Sequence, residues 1–120
     1  MVIGAANRFT QASFGGLVVG TANTINGYGA SVSGGQGNFA SGDYASISGG
    51  FGNNAFDDFT SITGGTGNTA GSVVTFQGGL GVSVTGRSGN AAGGRNTVVT
   101  GGQNVTDNID NSIAPKPPFP

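Results

Sequence analysis

The sequence predicts an all-β solenoid in which each coil takes about fifteen residues. The first observation is a repeat: SVSGGQGNFASGDYA, SISGGFGNNAFDDFT and SITGGTGNTAGSVVT follow one another over residues 31–75. Self-similarity at a fixed short period is typical of a stack of equivalent coils. The second observation is the repeat length, because helical repeats need roughly 33 to 47 residues and fifteen leave room only for short strands and turns.

Composition is the third observation. The chain has 26 Gly in 120 residues and no Glu, and it lacks the apolar spacing of three and four that marks an amphipathic helix. Val, Ile, Ser and Thr alternate in short runs, while Gly-Gly and Gly-Asn pairs supply corners with positive φ. We therefore expect two or three short strands per coil, joined by glycine corners.

The predicted strands have one inward and one outward face. Successive strand residues point to opposite faces, so Val32, Ile47 and Ile62 share one inward column and their Ser neighbours point outward. Small residues complete this interior, at Ala40, Ala55 and Ala70. So thin a core buries little apolar area against the entropy of ordering fifteen residues, and we expect a lone chain to be marginally stable.

Four asparagines recur at one position of successive coils: Asn23, Asn38, Asn53 and Asn68. Stacked Asn side chains form ladders in cross-β arrays, and Asn also favours corners. We predict that these four residues form a structural ladder along the stack, or cap a corner, and that they do not bind a ligand.

The repeat loses fidelity toward both ends of this single-domain chain. Residues 1–30 echo it imperfectly and are expected to form irregular capping coils, whereas residues 31–106 carry the roll. Residues 107–120 depart from the pattern and are expected to form a Pro-rich tail or a strap across the last coil. The prolines from Pro115 onward cannot donate ladder hydrogen bonds and favour polyproline II.

Charge and composition argue against several classes of function. The formal charge is −1, and no Lys or Arg lies between Phe9 and Gly86, so little could neutralise a nucleic acid backbone. The chain contains no Cys and no His, which removes thiol chemistry, imidazole bases and the usual zinc ligands. It contains neither an apolar run of about 18 residues nor a basic-then-apolar leader. We expect no nucleic acid partner and no membrane insertion by this chain.

Two cofactor motifs are better explained by the repeat. GQGNFA at 35–40 and its two copies fit a dinucleotide fingerprint, but that fingerprint needs a following helix. GGFGNNAFD at 49–57 is similar to the nonapeptide calcium repeat with Asn54 in place of the ligand Asp, yet this chain repeats in fifteens. We therefore expect no cofactor and no metal.

The adjacent carboxylates Asp57 and Asp58 are also poor candidates for catalysis. Neighbouring strand residues point to opposite faces, so the two would not share one substrate, and a solvated corner explains them better. No other pair of acidic residues supports an active site. We expect that the chain is not an enzyme.

A second apolar column predicts an interface. Tyr44, Phe59 and Val74 stand fifteen residues apart on the face opposite Ile47 and Ile62, so they form an outward stripe suited to self-association. The alternative is a corner that inverts the alternation and turns these side chains inside. Aromatic and acidic residues form a second exposed cluster, the predicted partner surface: Phe39, Phe51, Phe56, Asp57 and Asp58.

The motifs SVSGGQGNFASG, SISGGFGNNA and SITGGTGNTAG resemble the YadA-like head repeats of trimeric autotransporter adhesins, over about residues 13–106. The resemblance implies a left-handed parallel β-roll that packs as a homotrimer. It also implies an extracellular or cell-surface location, with display by other segments or export machinery, and binding to an extracellular matrix protein or glycan. Similar repeats occur in phage fibres, and a weaker likeness to curli-type amyloid subunits rests on GQGNFA, although the curli period is longer.

These observations together predict a non-enzymatic structural or adhesive surface module, a rigid trimeric β-roll that mediates attachment or forms part of a fibre. A self-assembling solenoid filament subunit is the alternative, and a phage tail-fibre segment is the third possibility. An open filament would use the ends of the stack, whereas a trimer would use a closed three-fold interface.

Overall fold

The computed structural model describes residues 1–10, 13–14, 16–71 and 81–115. Within these ranges the chain is all-β and contains fifteen short strands. The strands are β1 (Val2–Ala5), β2 (Arg8–Phe9), β3 (Val18–Thr21), β4 (Thr24–Ile25), β5 (Ser31–Val32), β6 (Phe39–Ala40), β7 (Ser46–Ile47), β8 (Asn54–Ala55), β9 (Ser61–Ile62), β10 (Thr69–Ala70), β11 (Ser83–Thr85), β12 (Ala91–Ala92), β13 (Val98–Thr100), β14 (Thr106–Asp107) and β15 (Ile113–Ala114).

The strands stack into two parallel sheets that run the length of the molecule. Odd-numbered strands form an eight-stranded sheet and even-numbered strands form a seven-stranded sheet, each strand pairing with the equivalent strand of the next coil. A third line of parallel bridges joins equivalent residues at Thr21, Gln36, Phe51, Thr66, Ser88 and Gln103. The molecule measures 43 × 26 × 17 Å. The predicted all-β solenoid with about fifteen residues per coil is confirmed.

The core is a set of inward columns. Val32, Ile47 and Ile62 are each fully buried and lie on adjacent strands in register. A second column consists of buried residues on the even-numbered strands: Ile25, Ala40, Ala55, Ala70 and Ala92. The eight-stranded sheet contributes mostly Val and Ile to the interior, and the seven-stranded sheet contributes mostly Ala after Ile25. The interior is therefore as thin as the sequence predicts.

One coil is longer than the others, and the stack tolerates it. Ser61 pairs with Ser83 and Thr69 pairs with Ala91, so the register advances by 22 residues at this point. The strands on either side continue both sheets without interruption. This step therefore takes 22 residues instead of fifteen, and residues 72–80 within it lie outside the described ranges.

The coils continue beyond residue 106, where the sequence led us to expect a tail. Strands β14 and β15 pair with β12 and β13, which adds another layer to both sheets. Asp107 hides this layer in the sequence, because it occupies the buried position that Ala92 fills one coil earlier. Its carboxylate accepts hydrogen bonds from the Ile109 backbone nitrogen and from Ser112 Oγ, so the buried charge is partnered.

Residues 1–30 are also more regular than the capping coils that we expected. Strands β1 to β4 pair in parallel with one another and with β5 and β6. The steps between them vary by one residue around fifteen, as in the pairing of Val2 with Val18 and of Val18 with Val32. This small variation obscures the repeat in the sequence although the strand stack is continuous.

Candidate functional surface

The predicted asparagine column lies inside the stack and forms a continuous ladder. Asn23, Asn38, Asn53 and Asn68 are buried, and each Oδ1 accepts a hydrogen bond from the backbone nitrogen of the next asparagine at 2.9–3.0 Å. The side-chain amides donate to carbonyl oxygens of corner glycines, so the side chains hold the corners together. Each of these side chains is thus engaged within the stack, as a structural ladder requires.

Two further asparagines join this ladder. Asn7 Oδ1 accepts from the Asn23 backbone nitrogen at 3.0 Å, and the Asn90 backbone nitrogen donates to Asn68 Oδ1 at 2.9 Å. Their offsets of 16 and 22 residues place them outside a strict spacing of fifteen. A search for Asn within each glycine corner, at any spacing, would have found them.

An exposed row of four aromatic rings is the main surface feature. We call it the aromatic ladder, and it consists of Phe14, Tyr28, Tyr44 and Phe59. Tyr44 and Phe59 stack with ring centroids 5.4 Å apart and an interplanar angle of 10°. Phe14 and Tyr28 stack in the same way at 5.9 Å, and Tyr28 meets Tyr44 edge to face at 5.6 Å. The four side chains are between 45 and 73% exposed.

Backbone conformation explains why the ladder points outward. Tyr44 and Phe59 lie in turns and have φ of 57° and 56°, in the left-handed region that residues other than glycine and Asn rarely adopt. Strand alternation, which we used to place them on the outward face, therefore does not apply, although the rings are exposed. Gly29 holds the equivalent turn position one coil earlier, and an added Cβ there would meet the Tyr44 ring at 2.9 Å. The glycine leaves room for that ring.

Half of the aromatic ladder does not follow the fifteen-residue spacing of Tyr44 and Phe59. Phe14 and Tyr28 come one position earlier in the turn than Tyr44 and Phe59, so a search of one column does not connect them. The backbone hydrogen bonds show the offset, because the nitrogens of Gly29, Tyr44 and Phe59 donate to the carbonyls of Phe14, Tyr28 and Asp43. Val74, the third residue of the predicted stripe, lies outside the described residues.

The aspartates beside the ladder support turns. Asp43 Oδ1 accepts from the Tyr28 backbone nitrogen, and Asp58 Oδ1 accepts from the Asp43 nitrogen, both at 2.8 Å. Asp110 repeats this contact with the Arg95 nitrogen at 2.8 Å. Asp58, a residue of the predicted partner surface, thus supports the turn of the preceding coil. The Asp57 carbonyl accepts from Thr60 Oγ1 at 2.8 Å within the same turn.

The structure divides the remaining residues of the predicted partner surface. Phe39 and Phe56 form an edge-to-face pair, with centroids 6.1 Å apart, and both are half-buried on the outer side of the seven-stranded sheet. Phe51 is 55% exposed and lies on the third line of bridges, between Gln36 and Thr66. Two of the three phenylalanines therefore form one patch, and Phe51 belongs to a different side of the coil.

The described ranges offer little for catalysis or metal binding. No three acidic, His or Cys side chains in these ranges lie close enough together to hold a metal ion. A cleft of about 430 Å³ opens beside the last coil, but its one ionisable side chain, Asp107, is held by Ser112 and the Ile109 backbone. None of the described residues belongs to a helix with the length and hydrophobicity needed to span a bilayer.

Comparison of the chain with protein-family models, curated proteins and solved structures gave no match. Among the described residues, every buried side-chain nitrogen and oxygen has a hydrogen-bond partner, so the interior is explained by stability. The aromatic ladder lies outside this interior, and its four rings are exposed.

Proposed function

We propose that this chain is a non-enzymatic structural or adhesive module of an extracellular or cell-surface fibre. In this proposal it is a left-handed β-roll that assembles as a homotrimer, and the aromatic ladder forms the seam between chains. The observation that carries the proposal is the ladder itself, four aromatic side chains that remain 45 to 73% exposed along one corner of the solenoid. Contiguous apolar patches on soluble proteins mark interaction sites.

The arrangement of the rings favours a protein partner. Within the two stacked pairs, Phe14 with Tyr28 and Tyr44 with Phe59, each ring covers one face of its neighbour. Ring edges and tyrosine hydroxyls are among the groups available to a partner, and these groups suit protein interfaces, where Tyr and Phe are enriched. Stacking also fixes the rings in advance, which lowers the entropy lost when the seam forms.

A second copy of this chain is the partner that the repeat favours. Coils of an identical chain present rings at the same rise of about 4.8 Å per strand, so ladders of parallel chains match rung for rung. A side-by-side contact between parallel chains closes into a ring when each chain is rotated by the same angle from the last. In the proposed trimer this rotation is a third of a turn, so three chains share one axis. Burial of the ladder adds the apolar area that the thin interior lacks.

The phenylalanine pair is the proposed contact for a target. Phe39 and Phe56 form a half-buried aromatic patch on a strand face that is otherwise polar, with Asn54 and Thr69 in neighbouring positions. Aromatic side chains with flanking polar groups are typical of surfaces that bind proteins and sugars. We propose that an extracellular matrix protein or a glycan binds this patch.

Size-exclusion chromatography with light scattering tests the assembly. A single species with three times the chain mass of 11.6 kDa supports the trimer. A broad series that grows with concentration would instead support the filament subunit, because open stacking does not stop at a fixed number. A stable monomer over the whole concentration range would contradict both assemblies and leave the ladder unexplained.

A further inference from the structure

We infer that Tyr28 and Tyr44 form a site of oxidative cross-linking, at which a haem peroxidase with hydrogen peroxide couples the two phenols into dityrosine. These are the only two tyrosines of the chain, and they are sixteen residues apart in the sequence. The solenoid nevertheless brings their ring centroids to 5.6 Å, on adjacent coils. The product would be a covalent link between two coils within one chain.

The geometry holds the two rings together. The Tyr44 backbone nitrogen donates to the Tyr28 carbonyl oxygen at 2.7 Å, which ties the two residues directly. Their rings meet at an interplanar angle of 74°, so the edge of one phenol faces the other ring. Phe14 stacks outside Tyr28 and Phe59 stacks outside Tyr44, and neither phenylalanine has a phenol that could compete in the coupling.

The chemistry is balanced by one equivalent of peroxide. Each phenol gives one electron and one proton to the oxidant and becomes a tyrosyl radical. The two radicals then form a carbon–carbon bond between ring positions ortho to the oxygens, and each ring regains its aromaticity when its ortho hydrogen moves to oxygen. Two phenols and one hydrogen peroxide thus give one dityrosine and two waters.

Proximity directs the coupling within the chain. In the single chain both side chains are about half exposed, at 45 and 52%, so an oxidant can remove electrons from them. Groups held side by side react with effective concentrations on the order of 10⁵ M or more when their orientation is good. Radicals on separate chains at micromolar concentration meet far less often, so the intrachain product is expected to dominate.

The test is oxidation of the full chain with hydrogen peroxide and a haem peroxidase, compared with Tyr28→Phe and Tyr44→Phe. The wild-type monomer is expected to lose two hydrogen atoms and to gain blue dityrosine fluorescence. Cleavage before Asp43 separates the two tyrosines, so the fragments stay joined only if they are linked. Both single variants are expected to lose the fluorescence and the joined fragments.

A geometric control keeps both tyrosines in place. Gly29→Ala adds a Cβ that would lie 2.9 Å from the Tyr44 ring, so it displaces that ring, and the yield of joined fragments is expected to fall several-fold. A yield equal to that of the wild type would contradict the role of the contact. Oxidised wild-type monomer without joined fragments, or linkage found only between chains on a denaturing gel, would overturn the inference. Because the seam proposed above would cover both phenols, the oxidation is carried out at a dilution at which light scattering gives one chain mass.

Discussion

The backbone nitrogen of Asn53 donates a 3.0 Å hydrogen bond to Oδ1 of Asn38, one coil earlier in the stack. The side-chain nitrogen of Asn53, Nδ2, also donates to the carbonyl of Gly49 in its own corner, at 2.9 Å, and to the carbonyl of Gly65 in the next corner, at 3.1 Å. One side chain thus joins successive coils where the chain turns most sharply. The asparagine ladder thus adds buried hydrogen bonds to a stack whose apolar core is thin.

Replacement of Asn53 by Ala is expected to destabilise the fold by several kcal/mol. It leaves the Asn68 backbone nitrogen and the Gly49 carbonyl without this partner, and each buried group left unsatisfied costs roughly 1–3 kcal/mol. The Gly65 carbonyl loses one hydrogen bond but keeps the one from the Phe51 backbone nitrogen. Urea denaturation measures the change in unfolding free energy. The matched control is Asn54→Ala, a half-buried residue on the outer side of β8, which should cost much less. Equal losses of unfolding free energy in the two variants would contradict a special role for the asparagine ladder.

Replacement of Ile47 by Asp is expected to prevent folding. Ile47 is fully buried between Val32 and Ile62, and an unpaired carboxylate there costs several kcal/mol, a large share of the roughly 5–15 kcal/mol that stabilise a domain. Far-ultraviolet circular dichroism distinguishes a folded from an unfolded chain. The neighbouring exposed position supplies the control, since Ser48→Asp should keep the β spectrum. A native spectrum for Ile47→Asp would reverse the assignment of inward and outward faces.

Two adjacent glycines are expected to respond very differently to alanine. Gly50 has φ of 90°, and an added Cβ would lie 2.1 Å from the Gly65 carbonyl oxygen, so Gly50→Ala clashes with backbone and should destabilise strongly. Gly49 has an ordinary φ, and its added Cβ would meet nothing within 4 Å. Gly49→Ala should be neutral or slightly stabilising, because it reduces the entropy of the unfolded chain. Similar melting temperatures for the two variants would show that the coils stack less closely than described.

Neither EDTA nor added calcium, zinc or nucleotide is expected to shift the melting temperature. Only a species that binds the native state raises it, and the described residues hold no group of three metal-ligating acidic side chains. Differential scanning fluorimetry with a dye is a sufficient measurement. A reproducible rise of several degrees with calcium would restore the nonapeptide calcium interpretation of residues 49–57.

Much of the fold could be predicted from the three regular copies in residues 31–75. A strict period placed Val32, Ile47 and Ile62 in one column, because a stack of equal coils converts sequence spacing directly into spatial register. The prediction weakened where the register steps by 22 between Asn68 and Asn90, because a strict spacing of fifteen does not connect these two asparagines.

The last coil and the full aromatic ladder could not be predicted, because both depend on the local geometry of turns. Asp107 in a core column looks incompatible with a coil until its hydrogen bonds to Ser112 and the Ile109 nitrogen are known, and these depend on the local turn. Only half of the aromatic ladder could be predicted, because Tyr44 and Phe59 occupy the same position of the repeat. Tyr28 occupies the preceding position of the repeat, although its ring contacts that of Tyr44. Side-chain direction within a left-handed turn is not encoded by strand alternation.

The mass of the Tyr44→Ser/Phe59→Ser double variant in solution tests the proposed seam most directly. Removal of two rings per chain, each worth about 2 kcal/mol when buried, should dissociate the proposed trimer into unstable monomers. Phe51→Ser is the matched control, because Phe51 is 55% exposed, close to the 52 and 56% of Tyr44 and Phe59, but lies on another side of the coil. Light scattering should give one chain mass for the double variant and three for the control. A double variant that keeps three chains and an unchanged melting temperature would contradict the ladder as the seam.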